Sequence, residues 1–137
     1  MRVAVIDGQG GGIGKAIVGR LRRAFGNNIE IIALGTNSMA TSLMLKAGAN
    51  EGATGENAIV YNVARVDLIL GLISILSANS LLGELTPLMS KAIAESPAKK
   101  VLIPLNKSNI IVAGSENKPL PHYIDDIIEI VQAGGVK

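Results

Sequence analysis

Five glycines fall within nine positions in Asp7-Gly-Gln-Gly-Gly-Gly-Ile-Gly-Lys15, directly behind the apolar run Val3–Ile6. Glycine loses more conformational freedom on ordering than any other residue, so this density asks for a reason. Without side chains the backbone can turn sharply and let another group come close, and the amides that open a following helix face negative charge. The chemistry this stretch suits is the cradling of a phosphate. Gly8, Gln9, Gly10, Gly11, Gly12, Ile13 and Gly14 would supply backbone, and Lys15 a positive charge. The alternative is a tight strand-to-helix turn that binds nothing.

Spacing narrows the first reading. The dinucleotide pattern G-x-G-x-x-G fails, because counting from Gly8 its last position falls on Ile13. The pattern G-x-x-x-G-x-G fits through Gly8, Gly12 and Gly14 and resembles the loop of short-chain dehydrogenases/reductases. Gly11-Gly12-Ile13-Gly14-Lys15 also resembles the core of a deviant Walker A motif. But Ala16 stands where a Ser or Thr hydroxyl would bind magnesium, and Gly10 where that variant carries an extra lysine. The expected cofactor is therefore NAD(P) or another nucleotide, with no metal site.

A dinucleotide site usually has an acid at the end of its second strand to take the ribose hydroxyls. Here the stretch is Leu34-Gly35-Thr36-Asn37-Ser38, which has none. Thr36, Asn37 and Ser38 suit either a ribose or a 2′-phosphate, though no arginine accompanies them; Thr36 or Ser38 equally suits a helix N-cap. The reductase resemblance weakens further on. Tyr61-Asn-Val-Ala-Arg65 has the Tyr-x-x-x-basic spacing of that superfamily's catalytic pair, but with Arg for Lys and on the helix before the fourth strand rather than after it. Arginine does not readily share its proton. Tyr61 reads as a helix-surface or packing residue, and no catalytic residue is assigned.

His122, the single histidine, sits beside Pro121 at a helix start and reads as a capping or surface group. Asp7 closes the first strand, where it would accept loop amides or hold a phosphate-bound metal. Glu56 and Glu84 are acids within reach of the same crevice, and no two of these acids have a spacing that demands shared acid–base work.

The elements that must position these residues follow from hydrophobic period. Val3–Ile6 is a continuous apolar run, the pattern of a strand buried on both faces. Ile13, Ile17, Val18, Leu21 and Phe25 form one helical stripe, ended at Gly26-Asn27-Asn28. A second strand spans Ile29–Leu34, and a helix runs from the Thr36-Asn37-Ser38 cap to about Ala47. A short third strand lies near Asn50–Ala53, followed by a helix from Thr54 to about Arg65. Val66–Leu76 is the fourth strand, or a strand shorter than that apolar run. Thr86-Pro87 opens a helix that stops before Pro97, and Lys100–Leu105 is the fifth strand. The link Asn106-Lys107-Ser108 is too short for a crossover helix, so Asn109–Ala113 should form a sixth, antiparallel strand. A last helix opens at Pro121 and runs to about Ala133, with Asp125 and Asp126 in its first turn.

Alternating strands and helices predict one α/β domain over residues 1–137, a Rossmann-like three-layer α/β/α sandwich. Its sheet is mostly parallel, with an antiparallel C-terminal edge strand. In such sheets ligands bind beyond the carboxyl ends of the strands. Four loops should meet there, at Gly8–Lys15, Gly35–Ser38, Ala53–Asn57 and Ser77–Gly83. They bring Thr54, Asn57, Ser77 and Asn79 toward the glycine turn.

Composition removes several function classes. With no cysteine, disulfides, zinc–thiolate sites and thiol nucleophiles are excluded. Phe25, Tyr61 and Tyr123 are the only aromatic residues, and the net charge of +2 is scattered apart from Arg20, Arg22 and Arg23. Nucleic-acid binding is therefore not expected. Val66–Leu76 is far shorter than the roughly 20 apolar residues of a spanning helix, and no signal segment is evident. The expectation is a cytoplasmic protein with no membrane partner. Leu81, Leu82, Leu85, Leu88 and Met89 exceed what one small core should bury, which predicts a homo-oligomer, a dimer or higher.

DGQGGGIGKA, ALGTNSMATS, KAGANEGATGENAIVYN, SANSLLGELTP and AKKVLIPLN together resemble a short bacterial family, of clostridial type, catalogued as a domain of unknown function. The resemblance covers essentially the whole chain. It implies a Rossmann-like domain standing alone in anaerobic or spore-forming bacteria, and it brings no established activity. In that family the stretch matching Asn106–Ile111 often carries Cys and His. This chain has neither, which speaks against an essential metal or thiol there. The reading from residues and resemblance together is a small protein binding a nucleotide, dinucleotide or other phosphorylated metabolite. The alternatives are an NAD(P)-dependent oxidoreductase completed by a partner subunit and a scaffold with no ligand.

Overall fold

The computed structural model describes residues 1–105 and 109–134. Its centre is β1 (Arg2–Asp7), buried from Val3 to Asp7. Flanking it are β2 (Glu30–Gly35) and β4 (Leu68–Leu72), each buried along almost its whole length. The shorter β3 (Glu51–Thr54) and β5 (Lys99–Ile103) form the edges. The order is β3-β2-β1-β4-β5, and every neighbouring pair is parallel. The order in which successive strands are added therefore reverses at β1, and the crevice between β1 and β4 is the place where open α/β sheets take ligands.

Side-chain alternation along the strands sorts the helices onto two faces. Val3, Val5, Ile31, Leu68 and Leu70 point to α1 (Gly12–Phe25), α2 (Ser38–Ala47) and α5 (Leu120–Gln132), where they pack with Ile17, Leu21, Met44, Ile124 and Ile127. Ala4, Ile6, Ile32, Leu34 and Ile69 point to α3 (Glu56–Val63) and α4 (Pro87–Glu95), where Ile59, Val63, Met89 and Ile93 meet them. Burying each of these large aliphatic side chains contributes about 1.5–3 kcal/mol. Ile17, Leu21 and Met44 are completely buried, so the apolar stripe behind the glycine turn anchors α1 firmly.

Four expectations need correction. The apolar run Val66–Leu76 is not one strand: β4 ends at Leu72 and a 3-10 turn covers Ile73–Leu76, equally buried at Ile75. A buried turn and a buried strand share one composition. Asn109–Ala113 does not form an antiparallel strand, so the five-stranded sheet is wholly parallel. Asn109 and Gly114 adopt left-handed conformations (φ 62° and 82°), a turn closes from Ser115 N–H to the Val112 carbonyl at 3.1 Å, and Ile111 stays 84% exposed. The expected link Asn106-Lys107-Ser108 lies outside the described residues.

The third correction is narrower: α2 is capped from within the expected Thr36-Asn37-Ser38, but by Asn37 and not by Thr36 or Ser38, its Oδ1 accepting the Ala40 amide at 2.9 Å. Fourth, α5 begins at Leu120, so Asp125 and Asp126 lie beyond its first turn and pair instead with Arg20 and Lys118, each at 2.6 Å. At α4 the expected arrangement is present, with Thr86 Oγ1 accepting the Met89 amide and Pro87 at the first helical position.

Candidate functional site

The glycine turn leaves β1 at Asp7, whose buried carboxylate organises it. Oδ1 accepts the Gly8 amide at 2.8 Å and Oδ2 the Gly14 amide at 2.6 Å. An acid at the positive end of α1 is electrostatically favoured there. Gly11 caps the helix in a left-handed conformation (φ 77°), its N–H donating to the Gly8 carbonyl at 3.0 Å.

The five glycines divide into two groups. A Cβ on Gly8 would lie 2.2 Å from Thr36 Oγ1 and 2.9 Å from Glu84 Oε1, and one on Gly14 would lie 2.6 Å from Met44 Sδ and 2.8 Å from Asp7 Cβ. Gly11 needs its left-handed φ. Packing and conformation thus account for Gly8, Gly11 and Gly14. Gly10 and Gly12 have no positive φ, and a Cβ on either would meet nothing within 4 Å. Among the described residues the amides of Gly10, Gly12 and Ile13 have no acceptor, while those of Gly8, Gln9, Gly11, Gly14 and Lys15 are all used. These amides front a hollow of about 470 Å³ lined by Asp7–Ile13, Leu72, Leu81 and Leu120.

A groove of about 730 Å³ between α1 and α5 shares Gly12 and Leu120 with that hollow. Its floor includes Ala16, Ala47 and Ile124, and Lys15, Arg20 and Arg23 stand along it. Arg20 is paired with Asp125; Lys15 and Arg23 have no carboxylate partner among the described residues. Arg22, by contrast, is structural: it donates to the Gly26, Ile29 and Gly48 carbonyls and to Asn50 Oδ1. A further hollow of about 480 Å³, bounded by Pro104, Lys118, Tyr123 and Asp126, does not reach the glycine turn.

Three loops meet through one carboxylate oxygen. Glu84 Oε1 accepts the Gln9 amide at 2.7 Å, the Thr36 hydroxyl at 2.6 Å and the Asn37 side-chain amide at 3.0 Å. Asn37 Nδ2 also donates to the Gln9 carbonyl at 2.9 Å. The Thr36 hydroxyl, followed by the Gln9 amide, holds the Glu84 carboxyl below its ordinary value, with burial opposing and Asn37 adding to the effect. Glu84 is delivered by a compact turn in which Asn79, Leu81, Leu82 and Gly83 all have left-handed φ values. The Asn79 amide bonds the Leu85 carbonyl at 2.8 Å and the Ser80 hydroxyl the Ser74 carbonyl at 2.6 Å, closing it.

Gly8 to Ile13 therefore line the hollow, and Thr36 and Asn37 brace it through Glu84. The remaining expected contacts do not line it. Ser38 is an exposed first residue of α2, and Asn57 lies exposed on α3. Thr54 is engaged with Thr41, hydroxyl to hydroxyl at 2.7 Å. Ser77 and Asn79 bond the turn after β4 through their backbones. Tyr61 is 55% exposed with Arg65 stacked 3.8 Å from its ring centre, a helix-surface role as expected, and His122 is exposed in the first turn of α5. Leu72, Leu81 and Leu120 were not anticipated as walls. The lone acid in Ser80-Leu-Leu-Gly-Glu84 was the one signal in the sequence for the bracing carboxylate.

Residues 2–134 match the family model described as "Domain of unknown function (DUF3842)". The chain belongs to that family. No curated protein matches this DUF3842 member. Among solved structures it is similar to the dodecameric FMN-dependent UbiX-like decarboxylase from Escherichia coli O157:H7, with a TM-score of 0.55 and 12% identity over 100% of this chain and 95% of that one. It is also similar to AibC, with a TM-score of 0.52 and 17% identity, covering 99% of this chain and 43% of AibC. At these identities the likeness is one of fold. Among the described residues no group of His, Cys, Asp and Glu suits a metal ion, and no helix is long and apolar enough to cross a membrane.

Proposed function

We propose that this DUF3842 domain binds a phosphorylated ligand of nucleotide type at the turn Gly8–Lys15. The observation that carries this reading is the pair Gly10 and Gly12, glycines that neither packing nor backbone conformation requires, beside three amides that lack an acceptor. A bare backbone with outward N–H groups at a helix start is what a phosphate needs. The groove between α1 and α5, with Lys15 and Arg23 along it, offers the same ligand a further anionic contact.

A panel of NAD, NADP, ATP, GTP, FMN, coenzyme A and phosphosugars tests this by thermal unfolding. At a hundredfold excess over Kd, binding adds about 2.7 kcal/mol to native stability, so at least one member should raise the midpoint by several degrees. Lys15→Ala should weaken that ligand partially and in a salt-sensitive way, since it removes a charge and leaves the turn. No shift from any member at millimolar concentration would sink the reading.

Self-association belongs to the same proposal. Leu85 and Met89 are buried after all, but Leu82 is 94% and Leu88 50% exposed. Leu82 and Leu88 are the uncovered apolar side chains of this stretch that an interface would bury.

A further inference from the structure

Dinucleotide-binding sheets place a carboxylate at the end of the second strand, where it accepts the hydroxyls of a ribose. At the end of β2 this chain has Gly35, Thr36 and Asn37 in that place, none of them acidic. The carboxylate is nevertheless there. Glu84, from the turn after β4, sits against the Thr36 hydroxyl at 2.6 Å and the Asn37 amide at 3.0 Å, and against the Gln9 amide in the glycine turn at 2.7 Å. All three donors use Oε1. Among the described residues Oε2 has no hydrogen-bond partner, and the side chain is only half-buried.

We infer that Glu84 is the ribose-recognising acid of the site, supplied from the fourth strand's loop instead of the second's, and that it selects nucleotides with a free ribose diol. The inference rests on the phosphate site proposed above. Oε1 is spent on holding the side chain in place, which leaves Oε2 to accept a ribose hydroxyl. A 2′-phosphate would meet this anion with no compensating cation, since no Lys or Arg enters the network. The Thr36 hydroxyl and Gln9 amide stabilise the ionised form, so the acceptor stays charged at neutral pH. Leu81, from the same turn, adds an apolar wall where it lines the hollow beside Gly8.

Calorimetric titration of the full chain decides the matter with two matched pairs, NAD against NADP and ADP against 2′-deoxy-ADP. A hydrogen bond to a charged acceptor corresponds to about tenfold or more in affinity, so the parent should prefer NAD and ADP by at least that factor. Glu84→Gln keeps an acceptor for Gln9, Thr36 and Asn37 but replaces the charge, and should bring both ratios to within about twofold. If this variant does not fold by circular dichroism, the parent's two ratios decide alone. Parent binding without preference overturns the inference and leaves the phosphate site standing. So does a variant that binds NAD and NADP equally more tightly than the parent, which would make Glu84 an occupant of the site and not a recognition group. Binding of FMN or a phosphosugar but of neither pair also overturns it while sparing the site. If no phosphate ligand binds at all, both readings fall.

Discussion

Two loops close the same end of the sheet, and they are built on opposite terms. The turn after β1 spends glycines, two of them at positions where a side chain would have met nothing. The turn after β4 does the reverse: Leu81 and Leu82 hold left-handed conformations at φ 57° and 55°, where glycine would sit without strain. A left-handed conformation costs an ordinary L-residue about 1–2 kcal/mol. One loop leaves space it does not fill, and the other accepts strain to keep a carboxylate and an apolar wall in place. The difference separates open backbone at Gly10 and Gly12 from a braced support that holds Glu84 and Leu81 in place.

Substitutions within the glycine turn should break this comparison most sharply. Gly8→Ala places a methyl 2.2 Å from Thr36 Oγ1 and against Glu84 and Leu81. It should lower stability by about 1–3 kcal/mol, the usual range for overpacking, and scatter the Glu84 contacts. Gly12→Val enters open space in a helical conformation, so urea denaturation should find it within about 1 kcal/mol of the parent. Its affinity for whichever phosphate ligand stabilises the parent should nevertheless fall at least tenfold. Equal damage to folding by both variants, or intact binding in Gly12→Val, would erase the distinction between the two kinds of glycine.

Next in size is the response to acid. Glu84 has a folded pKa below its ordinary value near 4.5, set first by the Thr36 hydroxyl. A depressed acid contributes stability that is complete above the unfolded pKa and is lost as pH falls through the folded one. Denaturation midpoints of the parent should therefore decline below about pH 4.5, and Glu84→Gln should show a shallower decline over that window. Parallel curves would mean that the carboxylate is not what ties the two loops together.

The smallest effect concerns the strained tip. Leu82 is 94% exposed, so Leu82→Gly loses almost no packing and relieves a left-handed leucine. Stability should rise by up to about 1 kcal/mol, since glycine's looser unfolded state offsets part of the gain. If Leu82 also serves a homo-oligomer, light scattering at tens of micromolar will show a lower mass for the variant. A destabilised variant of unchanged mass would contradict both expectations.

Much of the architecture was legible because it rests on local signals. Val3–Ile6, the stripe from Ile13 to Phe25 and the Thr86-Pro87 cap each announce their element within a few residues. The end of β4 was not legible, because Leu72 and Ile75 are equally apolar whether the chain stays extended or turns. Nor was the segment after Asn109, whose apolar run has no partner strand among the described residues and is bounded by the left-handed Asn109 and Gly114. At the site, the glycine turn could be read from its spacing. The link between Gln9 and Glu84 could not, since it joins residues 75 positions apart and depends on a turn whose left-handed leucines no propensity suggests. Thr54, Asn57, Ser77 and Asn79 share the polar composition of a binding loop, and composition does not say which way a loop faces.

The order of the strands also has a consequence in time. β1 meets β2 through Val3 and Ile31, 28 positions apart, but meets β4 through Val3 and Leu68, 65 positions apart. Closing the longer loop costs about 0.7 kcal/mol more in chain entropy, and long-range parallel pairing is a slow step in folding. The first three strands with α1 and α2 form the nearer-neighbour half, and β4 joins them across the seam. The hollow at the glycine turn lies on that seam, walled by Gly8–Ile13 on one side and by Leu72 and Leu81 on the other. A half-formed chain thus has the glycine loop but no complete hollow, and binding of whichever phosphate ligand stabilises the parent should, in a refolding experiment, lag behind the first appearance of helix and report the completed sheet.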